Sequence, residues 1–321
     1  MNNKGIIIFL IILAVVVIGV IIVDFSSTRP DKQPENPYAY DVDQYEKVDP
    51  SLIHYKETKN FRLGFSESRG LAYGNQKLYV LGSRSLQVIS KSGALVFEKV
   101  LDGTPTCITL GDDNKIYIGF QNYVSSYTEN GEFINKWQPL EENSVITSLD
   151  VWEGELYIAD AGTRKVHRFT VDGQKISDFE GKHEEDALHG FIIPSAYFDL
   201  AFNPYGDLWV VNTGNHSLEN YTPDGRIREF WRQTSVVGIE GFGGCCNPAH
   251  FTFLPDGSFV TSEKGLIRVK VYKPSGEFKC VVAAPEKFVE EGHAPEVVAD
   301  ENGNIYALDF DKNMIRLFQP I

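Results

Sequence analysis

The sequence predicts an all-β protein, a six-bladed β-propeller of four-stranded antiparallel blades, preceded by one N-terminal transmembrane helix. Three observations predict it. An aromatic-centred strand recurs six times, as KLYVLGS, KIYIGFQ, ELYIADA, DLWVVNT, SFVTSEK and NIYALDF. A glycine-bearing turn recurs in five of the same units, as KSGA, ENGE, VDGQ, PDGR and PSGE. An uninterrupted apolar run opens the chain.

The apolar run comes first in order. Residues 5–23, GIIIFLIILAVVVIGVIIV, carry no charge and no strong hydrogen-bonding side chain. A helix of that length spans a bilayer core. A cleaved signal peptide is the rival reading, but its apolar region is usually shorter and ends at small residues. Here Val-Asp-Phe follows. The first hundred residues contain no cysteine, so the anchor expected is the helix itself, not a lipidated thiol. Residues 1–24 are therefore read as a signal anchor that holds the chain to the membrane through residues 5–23. Lys4 flanks one side, and Asp24, Arg29, Asp31 and Lys32 flank the other, so positive charge alone does not orient the span. The bulk of the acidic C-terminal part argues for an N-in, C-out protein, with the propeller periplasmic or at the cell surface. Residues 25–54, broken by Pro30, Pro34, Pro37 and Pro50, read as a semi-extended stalk.

The propeller is expected over residues 55–321. The six strand aromatics are Tyr79, Tyr117, Tyr157, Trp209, Phe259 and Tyr306, spaced by 38, 40, 52, 50 and 47 residues. A period of this size means a solenoid or a propeller. Each unit has one grammar. Phe198–Phe202 leads into the tight turn Asn203–Asp207, then LWVVN, a polar loop, SLENYT, the turn Pro223-Asp224-Gly225, and RIREFW. Glycines 93, 131, 173, 225 and 276 supply the positive φ that the second turn needs. Four antiparallel strands at this spacing make a propeller blade. The last unit stops after its third strand, and HYKETKNFRLGF (54–65) precedes the first complete one. That segment is expected to supply the missing outer strand and close the ring.

These units resemble NHL repeats. DLAFNPYGDLWVVNTGNHSLENYTPDG, VVADENGNIYALDFDKNMIRLFQ and ELYIADAGTRKVHRF carry the resemblance over roughly residues 66–321. Gly82 and Phe120 depart from it where the family usually has aspartate. The resemblance implies a propeller, and it implies scaffolds, binding domains and a few enzymes without choosing among them. Among related six-bladed enzymes it implies Zn or Ca held at the channel mouth as a Lewis acid.

Function is expected on one face. Turns between strands 1 and 2, and 3 and 4, are tight. The long insertions 180–196, 232–248 and 284–295 all join strand 4 to the next blade. Long loops on a rigid scaffold carry function. Asp160, Asn212 and Asp309 end aromatic strands there and are read as caps of the following turn. Asp199 and Glu296 are read as starting inner strands of adjoining blades near the central channel, and His250 as starting another. His183, His189 and His293 fall in the insertions. Glu263 and Lys264 stand where the repeat expects aspartate, beside Cys245 and Cys246.

Adjacent Cα atoms lie about 3.8 Å apart, shorter than the roughly 4.4–6.8 Å of ordinary disulfides. A Cys245–Cys246 bridge would be strained, and outside the cytoplasm an oxidised pair is favoured. The alternatives are a shaped ring, a reducible switch, or a soft-metal site formed with His250. Cys107 and Cys280, on strands of different blades, are expected to be buried free thiols. The sequence requires no cofactor. A bound Zn, Ca or Cu ion is the candidate, with Cys245, Cys246 and His250 as its ligands.

A net charge of −14 argues against a nucleic-acid partner. No G-x-S-x-G elbow is present, so nothing supports a serine hydrolase. The reading is a membrane-anchored binding or assembly module whose insertion-bearing face takes a protein, peptide or small-molecule ligand. The alternative is a metal-dependent lyase or lactonase-like enzyme, or a thiol redox or metal-handling accessory.

Overall fold

In the computed structural model, the described residues from 47 onward hold six four-stranded antiparallel sheets, with Ser68–Gly74, Pro105–Leu110, Ile146–Trp152, Leu200–Phe202, His250–Phe253 and Glu296–Ala299 as the innermost strands. The structure describes residues 3–27, 47–182, 190–235, 238–290 and 292–321. His183 and His189 lie outside the described residues. The N-terminal unit holds one helix among its described residues. Its helix runs Asn3–Ser27, slightly past the apolar run. Lys4–Asp24 has a mean hydropathy of 3.8 and buries no side chain. That segment is long and apolar enough to cross a membrane.

Blade one spans residues 68–100, blade two 105–136, blade three 146–179, blade four 200–232 and blade five 250–283. Blade six takes three strands from the end of the chain and one from its beginning, since Tyr55–Arg62 pairs with Met314–Pro320. The closing contact includes a buried ion cluster. Arg316 donates to Asp309 and to Glu57, each at 2.9 Å, and to the Lys287 carbonyl. Part of the expected stalk also belongs to this unit. Ile53 bridges Val281 on the outer strand of blade five, and Ile321 donates to the His54 carbonyl.

The core is divided among the blade interfaces. Six apolar clusters occur, each drawn from two neighbouring blades. This follows from sheet geometry. A blade's middle strands are buried on both faces, so Leu208–Asn212 and Ile116–Phe120 are buried at every residue. The strand aromatics fill the space between sheets, and Trp209 packs edge-on against Phe259 of the next blade at 4.8 Å.

One inter-blade contact was not visible in the repeat alone. The turn glycines at 93, 131, 173, 225 and 276 all have φ between 78° and 91°. A Cβ at each would strike an aromatic ring from the preceding blade's outer side: Phe61, Phe97, Trp137, Phe179 and Trp231 respectively. The glycine therefore answers two demands at once, a left-handed backbone and a ring packed on its face. Gly225→Ala is expected to cost about 2–4 kcal/mol, combining left-handed strain and overpacking. Urea unfolding of the full-length chain in detergent checks this. A loss below about 1 kcal/mol would show that the ring moves aside freely.

Candidate functional site at the channel mouth

The innermost strand of each blade has one edge without a strand partner, and its amides need other acceptors. Carboxylates supply three of them. Asp150 accepts from the Phe202 amide and Asp199 from the Phe251 amide, both at 2.8 Å. Glu296 accepts from the Leu71 amide at 2.9 Å. Each carboxylate reaches from its own blade to the next, so the side chains lining the channel also staple the ring. Asp199 and Glu296 belong to blades four and six, with blade five between them. This corrects the expectation of adjoining blades. The two still share a narrow cavity of about 210 Å³ with Asp150.

The channel carboxyls are hard to ionise. Burial pushes Asp150 and Asp199 up to about 6, against the hydrogen bonds each accepts. Burial, and then the charge of Asp199, raise Glu296 well above the usual carboxylate range. His250 moves the opposite way, pushed down to about 4 by burial. It is therefore a neutral imidazole at pH 7.

Above this ring the channel opens into a cavity of about 490 Å³ on the face that carries the insertions. That volume suits a small ligand. All six blades contribute to it. His250 lies at its inner end, with Nδ1 4.0 Å from Asp199 Oδ2 and no hydrogen-bond partner among the described residues. Tyr197 stands edge-on to the His250 ring at 5.5 Å, and Phe310 lies at 6.4 Å. At the rim His293 Nδ1 is 2.8 Å from Asp311 Oδ1, and the His293 amide donates to Asp311 Oδ2. Arg69 donates to Glu67 at 2.8 Å. The cavity thus offers two imidazoles, two aromatic faces and charges of both signs.

The thiol pair meets the chain just before Tyr197, at Ser195. Cys245 is exposed, Cys246 is buried, and all four cysteines are free. The two sulfurs are 3.2 Å apart. Ser195 donates to Cys246 Sγ at 3.0 Å. Lys264 Nζ lies 5.4 Å from the Tyr197 ring centre. Burial works against the Cys246 thiolate, but Ser195, Cys245 and Lys264 stabilise it and hold the thiol below its ordinary range. Cys245 is raised, chiefly by its contact with Cys246. Cys107 and Cys280 are buried, and burial raises both, Cys280 to about 11. His250 does not join Cys245 and Cys246 as a ligand set. Among the described residues, no three His, Cys, Asp or Glu side chains are placed to hold a metal ion.

Glu263 is turned away from the mouth. Its carboxylate is buried, 2.8 Å from Arg268 and 2.7 Å from Lys270. It repeats an arrangement found elsewhere. Asp160 bonds His167, Asn212 bonds Glu219 and Asp309 bonds Arg316, each seven residues on. Blade five needs Glu263 because its loop is longer: Ser262 pairs with Val269, whereas Asp160 pairs with Lys165. Asp160 caps its turn through the Gly162 and Thr163 amides, and Asp309 through that of Lys312. Asn212 makes no such cap. It accepts from the Ile192 amide at 2.9 Å and so ties down an insertion.

Sequence reasoning missed Tyr197, Phe310, Asp311, Glu67 and Arg69. Their signal was positional: each lies at the start of an inner strand or just past the end of a second one.

No protein-family model matches the sequence, and no curated protein sequence matches it either. Solved structures do resemble it. One is a catalytically inactive virginiamycin B lyase variant from Staphylococcus aureus with quinupristin, 13% identical, covering 83% of this chain and 100% of that one at a TM-score of 0.61. A streptogramin B lyase is 11% identical, with 85% and 100% covered and a TM-score of 0.60. A Bacteroides thetaiotaomicron protein of unknown function is 17% identical, with 83% and 75% covered and a TM-score of 0.59. At these identities the likeness is one of fold.

Proposed function

We propose that this chain is a membrane-anchored, extracytoplasmic ligand-binding propeller of NHL type, and that its channel mouth takes a small molecule or short peptide. One observation carries the reading: the cavity of about 490 Å³ built by all six blades around an unbonded, neutral His250. Such a ring donates one hydrogen bond and accepts another, while Tyr197 and Phe310 provide apolar faces. The helix over residues 5–23 supports the anchor, residues 25 to about 49 the stalk, and the repeat grammar the NHL assignment. Screening the detergent-solubilised full-length chain by thermal shift against small polar aromatics and cyclic peptides tests it. A true ligand raises the melting temperature of the wild type and fails to do so for His250→Ala. A library in which no shift depends on His250 sinks the reading.

A second reading, acid–base catalysis at the same mouth, draws on the neutral imidazole 4.0 Å from a carboxyl and on the fold shared with two lyases. Quinupristin is the probe. Its consumption, followed by mass spectrometry and lost in His250→Ala, would select catalysis over simple binding.

A further inference from the structure

We propose that Cys245 and Cys246 form a two-sulfur chelating site for a trivalent, thiophilic p-block centre of the arsenic(III) class. The argument is geometric. With sulfur bonds of about 2.3 Å, as in zinc thiolates, sulfurs 3.2 Å apart close an S–X–S angle of roughly 90°. A linear two-coordinate ion needs the sulfurs roughly 4.6 Å apart, twice that bond length. A tetrahedral ion such as zinc wants a wider angle and further protein ligands, and among the described residues no third His, Cys, Asp or Glu is placed to supply them. A trivalent centre bonding through its p orbitals has near-perpendicular bonds. It takes two sulfurs from the protein and keeps its third substituent in solvent.

The surroundings suit that chemistry. Cys245 is exposed and offers the entry. Ser195 and Lys264 stabilise Cys246 as the thiolate, which is the nucleophilic form. With arsenous acid, the Cys246 thiolate displaces one hydroxide. The Cys245 thiol then displaces a second, its proton leaving with it as water. The product holds arsenic bonded to both sulfurs and one remaining hydroxyl. Arsenic stays trivalent, nothing is oxidised, and no co-reactant is required. Gly243 and Gly244 precede the pair, and a Cβ on Gly244 would meet only Asn247 Nδ2, at 3.8 Å. The other two cysteines are buried in separate blades and cannot complete a chelate.

Phenylarsine oxide is the probe. The full-length chain in detergent, reduced with a phosphine under anaerobic conditions, is treated with one equivalent and its intact mass is measured. The expected product is one adduct per chain, heavier by the reagent less one water. It should resist a hundredfold excess of a monothiol and be stripped by a dithiol. Cys245→Ser and Cys246→Ser should each lose the monothiol-resistant adduct, while a Cys107→Ala/Cys280→Ala chain keeps it. Lys264→Gln should form it several-fold more slowly at pH 7 and at the wild-type rate at pH 9. A resistant adduct that survives either serine change overturns the proposal. So does an adduct stripped by monothiol, or a folded, reduced chain that forms none.

Discussion

Glu263→Gln is expected to destabilise the propeller by about 3–5 kcal/mol, the range for removing one partner of a buried ion pair. The change leaves Lys270 fully buried and Arg268 only 5% exposed with no carboxylate between them. Lys270 also donates to the Ile239 and Gly241 carbonyls and sits over the Phe242 and Tyr272 rings. Burial already pushes Lys270 down to about 8 although Glu263 pulls it up. Without Glu263 it falls further. A cation depressed in the folded state gives stability that is present above its unfolded value, near 10.4, and lost as pH falls through its folded value. Above about pH 8 both proteins fold with a neutral lysine and change in parallel, so the variant's deficit should shrink as pH rises toward about 8 and stay level from there to about pH 10. Glu263→Gln/Lys270→Met should recover part of the loss, because the stranded ammonium is gone and Met packs beside Phe242 and Tyr272. Denaturant unfolding of the full-length chain measures all three. A deficit under about 1 kcal/mol for the single change would show that water reaches the cluster. Ligand shifts at the mouth should survive in the variant, because Glu263 does not face the cavity.

What the sequence made legible was whatever repeats. Six aromatics at one place in the strand gave the blade count. The missing fourth strand after Met314–Pro320 pointed to Tyr55–Arg62, and these two do pair. Loop length separated the two faces. What stayed hidden depends on which blades touch. Glu67, Tyr197, His250 and Asp311 are scattered over the whole chain, and only ring closure brings them to one cavity. The placement of Asp199 and Glu296 failed for a related reason. Asp199 precedes the inner strand of blade four and Glu296 opens that of blade six, with the His250–Phe253 strand of blade five between them. Glu263 was misread because a two-residue lengthening of its loop shifted it off the repeat position while its carboxylate still filled the same buried slot. Periodicity reports backbone register; it does not report where a side chain ends.

The channel mouth also sets up two opposed titrations, and these give the other large effect. Asp199→Asn should gain about 3 kcal/mol relative to wild type between pH 4 and pH 7.5. The wild-type carboxyl is raised from 3.8 to about 6. Its contribution to stability is thus full below 3.8 and lost as pH rises through 6, at about 1.4 kcal/mol per unit. Asparagine has no such loss, although its single oxygen can keep only one of the Leu200 and Phe251 amides, leaving Leu200 the longer bond to Ser148 Oγ at 3.4 Å if it keeps Phe251. That fixed cost of about 1–3 kcal/mol offsets the variant's curve without changing its slope. His250→Gln should do the reverse. The imidazole is lowered from 6.5 to about 4, so its contribution is present above 6.5 and lost as pH falls through 4. Relative to wild type this variant should gain about 3 kcal/mol on acidification from pH 7 to pH 4. The two groups lie 4.0 Å apart, so the double variant should show a residual coupling beyond the sum of the singles. Unfolding free energies of the four proteins at pH 4, 5, 6 and 7.5 decide the matter. Parallel curves would mean that neither group is buried as described and that the mouth stays wet down to Asp199. Opposite slopes would establish the dry, neutral imidazole on which the proposed ligand recognition at this mouth rests.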